Sequence, residues 1–97
     1  MPRGRKGDNE LNFRMQRALK TERDLPHIVE IELPSTGLNT QVNREMATFH
    51  RSHDIQPRFG RRRTQAGKLY CRWCFLDSGV ADLFRERFGG ERVRTKP

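Results

Sequence analysis

Apolar and polar positions alternate most cleanly over His27–Leu33 (HIVEIEL), where Val29, Ile31 and Leu33 point one way and Ile28, Glu30 and Glu32 the other. A period of two predicts a strand with one face on a core, and Pro34 ends it. The same alternation returns in Lys68–Phe75 (KLYCRWCF). There Leu69, Cys71, Trp73 and Phe75 share one face, and Lys68, Tyr70, Arg72 and Cys74 the other. Between these strands Leu38, Val42, Met46 and Phe49 recur at helical spacing, predicting a helix capped by Ser35 or Thr36 and ending near His53 or Asp54. Another helix opens at Asp77 or Ser78, carries Val80, Ala81, Phe84 and Phe88, and stops at Gly89-Gly90. Ile55–Arg63 reads as a strand that Pro57 confines to a sheet edge, with Thr64–Gly67 as the turn into Lys68. Glu91–Thr95 reads as a last short strand, with Val93 inward and Arg92 and Arg94 outward.

The N-terminal segment follows a different pattern. Met1–Gly7 (MPRGRKG) is a basic, Gly- and Pro-containing tail. Asp8 or Asn9 then caps a short helix through Leu19 or Lys20, with Leu11, Met15, Ala18 and Leu19 on one face. Thr21–Pro26 reads as a linker. The predicted organisation is thus a tail and helix in residues 1–25, followed by one β-α-β-β-α-β domain in residues 26–97. That order is the ferredoxin-like α+β pattern, with two helices on a four-stranded antiparallel sheet. Its first strand lies between the third and the fourth, so Glu30 and Glu32 are expected beside Arg72 on one side and Arg92 and Arg94 on the other. Cross-strand charge pairs follow from that placement.

A chain of 97 residues holds one core. No apolar run is long enough to cross a bilayer, no signal-peptide pattern follows Met1, and two cysteines three positions apart make no secreted disulfide framework. A cytoplasmic protein is expected, monomeric or homodimeric through the open sheet face. Charge sharpens the picture. Of the net +8, residues 57–75 hold +6: Arg58, Arg61, Arg62, Arg63, Lys68 and Arg72, with no acid among them. Such a field suits a polyanion, whose counterions are released on binding. Tyr70, beside these cations on the open sheet face, is a candidate base-stacking platform. The tail cations Arg3, Arg5 and Lys6 are auxiliary contacts. The run Arg61–Arg63 is expected to have no acidic neighbour.

Element order and three positions of the third strand resemble the RNA-recognition motif, whose third strand reads K/R-G-F/Y-G/A-F-V-x-F/Y. Lys68, Tyr70 and Phe75 match its first, third and last positions. Leu69 and Cys71 depart from its small residues, Arg72 replaces a stacking aromatic, and Glu30 and Glu32 face out from the first strand. The resemblance implies a topology and a kind of ligand, not membership.

Two other chemistries have partial signals in the sequence. Cys71-Arg-Trp-Cys74 with His50 and His53 has the composition of a zinc site, but a strand over Lys68–Phe75 sends the two sulfurs to opposite faces. No histidine is paired with a recognisable nucleophile, and no Gly-rich loop precedes a helix. The expectation is a non-enzymatic protein without cofactor that binds RNA or DNA through phosphate contacts. The alternative is an interaction module for an acidic protein whose sheet-face charge pairs are structural.

Overall fold

The structure is a computed structural model in which residues 6–94 are described, with side chains from residue 12 onward. It is a small α+β domain of three helices and one four-stranded antiparallel sheet. Along the chain run α1 (Lys6–Asp24), β1 (His27–Leu33), α2 (Thr40–Ser52), β2 (Arg63–Gln65), β3 (Lys68–Phe75), α3 (Ser78–Phe88) and β4 (Glu91–Val93). The strand order is β2-β3-β1-β4, so β1 lies between β3 and β4 as expected.

The register explains the core. Val29 faces Trp73, Ile31 faces Cys71 and His27 faces Phe75 across β1 and β3. This face packs on Met46 and Phe49 of α2 and on Ala81 and Phe84 of α3. Phe84 is fully buried, with the rings of Phe88, Phe75, Phe49 and Trp73 at 4.8, 5.1, 5.3 and 5.7 Å. Aromatic clusters of this kind let a small chain bury much apolar surface with few residues.

Several boundaries differ from expectation, each for a local reason. α2 is capped by Asn39, whose side chain accepts from Val42 N, and not by Ser35 or Thr36. Those two residues belong to a turn closed by Gly37 N donating to Pro34 O. α1 continues through Thr21–Asp24, read from sequence as linker. Thr21 Oγ1 donates to Arg17 O, Lys20 pairs with Asp24, and Pro26 ends the helix just beyond. β4 has the opposite phase to that expected. Val93 pairs with Ile28 and Arg92 with Val29, so Arg92 lies on the helix-covered face. There it reaches Asp82, Ser78 O and His27 Nδ1, which turn an apparent outward charge into a tie between sheet and α3.

The second strand, Arg63–Gln65, overlaps the predicted Ile55–Arg63 only at Arg63, and it takes Thr64 and Gln65 from the predicted Thr64–Gly67 turn. Pro57 cannot donate to a ladder, and only scattered bonds join this stretch to β3: Cys74 N to Arg58 O and Gly60 N to Arg72 O. Phe59 bridges Trp73, yet Arg63 faces Tyr70. Four steps on one strand therefore match three on the other, which is a bulge of one residue. The bulge lies within Gly60–Arg62, and it re-aims the arginine run.

Candidate functional site

Glu22, near the end of α1, organises the site. Its carboxylate is buried against the edge segment, where it accepts Arg61 N at 2.6 Å, Arg61 Nη2 at 3.0 Å and Arg72 Nη1 at 3.1 Å. Gly60 admits it. A Cβ at that position would lie 2.5 Å from Glu22 Oε2 and 2.7 Å from its Cγ. Burial alone would raise the carboxyl pKa, but the hydrogen bonds from Arg61 and the charges of Arg72 and Arg61 outweigh it and hold Glu22 below its ordinary value.

Arg72 continues the network across the sheet. Its Nε lies 3.0 Å from Glu30 Oε2, and Glu30 in turn takes a two-pronged contact from Arg63, at 2.9 Å and 2.7 Å. The Arg63 hydrogen bonds are the main reason that Glu30 titrates below its ordinary value; burial opposes them and Arg72 adds to them. Two carboxylates thus hold three arginines in one lattice between α1 and the open sheet face. At its margin Lys68 lies 3.8 Å from Glu32.

This lattice revises the expected interface. Arg61 and Arg63 are not free of acidic neighbours: each is paired through contacts between residues 39 and 33 positions apart in sequence. Arg72 is engaged by Glu30, as expected, but its second partner is Glu22 and not Glu32. The Arg63 guanidinium lies over one face of the Tyr70 ring, 4.2 Å from its centroid. Arg3 and Arg5 lie outside the described residues, as does the side chain of Lys6.

Other arginines take the exposed role. α1 runs alongside the edge segment and leaves a groove between Arg14, Arg17 and Ala18 on the helix and Pro57, Arg58 and Gly60 opposite. The groove extends past Met15 to Arg61 and Arg62. Among the described residues, Arg14, Arg17, Arg58 and Arg62 are exposed and have no carboxylate within ion-pair distance. Arg14 and Arg17 were missed in the sequence. The available signal was their separation of three, which places both on one side of a helix.

Comparison with protein-family models, curated proteins and solved structures finds no match.

Among the described residues no group of three His, Cys, Asp or Glu side chains converges. Cys71 faces Ile31 and Cys74 faces Ile28, on opposite sides of β3. Both thiols are buried and free; burial pushes Cys71 up and Cys74 to about 12, so neither is a ready thiolate. His50, in the last turn of α2, is a core residue stacked on Phe75 at 5.5 Å. Its Nδ1 lies 2.8 Å from Met46 O, an acceptor only, so Nδ1 carries the proton. His53 packs against Phe49 at 4.5 Å.

Proposed function

We propose that this chain is a non-enzymatic nucleic-acid-binding protein, built on a ferredoxin-like frame, whose phosphate-binding surface is the groove between α1 and residues 57–62. The observation that carries this reading is the separation of two classes of arginine. Arg61, Arg63 and Arg72 are committed to Glu22 and Glu30, whereas Arg14, Arg17, Arg58 and Arg62 have no carboxylate partner among the described residues and line one groove. Guanidinium groups that are not committed to a carboxylate attract a phosphate backbone and present paired donors to it. No helix among the described residues is long and apolar enough to cross a membrane, and two free thiols suit the reducing cytoplasm.

Salt titration of oligonucleotide binding tests the proposal. With about four phosphates neutralised, log K should fall against log salt with a slope of roughly −3 to −4. Replacing any one of Arg14, Arg17, Arg58 or Arg62 by Gln should reduce that slope by about 1. Absence of binding at low salt would falsify the reading.

A further inference from the structure

The groove is flanked by aromatic rings as well as by charge. Phe13 is 67% exposed and Phe59 is 48% exposed, large values for phenylalanines in a chain with an aromatic core to fill. Neither is a free-floating side chain. Arg17 lies 5.7 Å from the Phe13 ring centre, and Phe59 is braced edge-on against Trp73 at 5.6 Å. The two sites are linked. Arg17 borders both the depression beside Phe13, Lys20 and Arg23 and the groove that reaches Arg58 and Phe59. Two guanidinium groups, Arg17 and Arg58, therefore lie between the rings of Phe13 and Phe59 along this surface.

Resting on the nucleic-acid reading above, we infer that the groove takes single-stranded nucleic acid, with bases stacked on Phe13 and Phe59 and the intervening phosphates held by Arg17 and Arg58. A duplex keeps its base faces inside the stack, so exposed rings gain nothing from it. A single strand presents a π-face at every nucleotide and a charge between each pair. Tyr70 lies apart from this track, with the Arg63 guanidinium over one face of its ring. Nothing in the track reads base edges, so binding is tolerant of sequence. Arg17 and Arg58 add cation–π contact to any base lying over them.

The test is fluorescence anisotropy with labelled oligouridylate, oligothymidylate and mixed-sequence RNA and DNA duplexes of matched length, each a dozen nucleotides or so. Single strands should bind at least about tenfold tighter than either duplex, and Phe13→Ala should weaken single-strand binding by about tenfold while leaving duplex binding unchanged. Phe59→Leu, which keeps apolar packing on Trp73 but removes the ring, should do the same with an unaltered unfolding midpoint. Equal or tighter duplex binding, or single-strand affinity untouched by both substitutions, overturns this inference and leaves the phosphate-groove reading standing. Loss of all binding at low salt overturns both.

Discussion

Gly60 is the residue on which α1 and the sheet meet. Its missing Cβ leaves room for the Glu22 carboxylate, and that carboxylate satisfies both the Arg61 amide and two guanidinium groups. Gly60→Ala should therefore cost about 1–2 kcal/mol, because the carboxylate must swing away from buried partners. The same change in a Glu22→Ala background should cost little, giving a coupling energy that a double-mutant cycle measured by urea unfolding will report. Additive effects would show that Gly60 is needed for some other reason. Glu22 and Glu30 also fix the acid response. Both have lower pKa values in the fold than the ordinary 4.5, so the folded state binds their protons more weakly than the unfolded chain. Their stabilisation is complete above about pH 4.5 and is lost as pH falls through the lowered folded values. The unfolding midpoint should drop in that acid range, and Glu30→Gln should flatten the drop. These partnerships were only half legible in the sequence. Glu30 beside Arg72 follows from neighbouring strands, but nothing local joins Glu22 to a glycine 38 positions later.

At the scale of elements, strands and helices with strong periodicity were readable and their connections were not. β1, β3 and α3 have the expected bounds because each pattern is long, regular and closed by a Pro, an Asp cap or a Gly pair. The edge strand is not legible in the sequence because a bulge changes the face of each later side chain by one step, and alternation cannot announce where that step falls. The bulge is what turns Arg61 and Arg63 toward the carboxylates. The hairpin itself turns on two residues, Ala66 at φ 54° and Gly67 at φ 76°, since Gln65 pairs directly with Lys68. Two successive positive φ values fit a type I′ turn, in which Asn-Gly is preferred and a Cβ such as that of Ala is strained. Ala66→Asn should raise stability by about 0.5–1 kcal/mol, read as a higher thermal midpoint with unchanged binding. No gain would argue that the turn relaxes in solution.

Across the whole molecule, net charge is a poor guide to where charge is available. The hairpin segment holds +6 of the net +8, yet three of its six cations are bound in the lattice and Lys68 leans on Glu32. The usable field arises where α1 is folded back beside the edge segment, adding Arg14 and Arg17 to Arg58 and Arg62. Arg63→Gln should accordingly lower stability while leaving the salt slope of binding unchanged, the reverse of Arg58→Gln. The sequence by itself determined the α+β element order, the core face of β1 and β3, the apolar stripe of α2 and the net positive charge. Each is written in local periodicity or in composition, which need no partner to be read. Only the tertiary structure decided which arginines are neutralised, because ion pairing depends on distances between elements far apart in the chain. The docking of Glu22 at Gly60, the bulge before Arg63 and the phase of β4 set those distances.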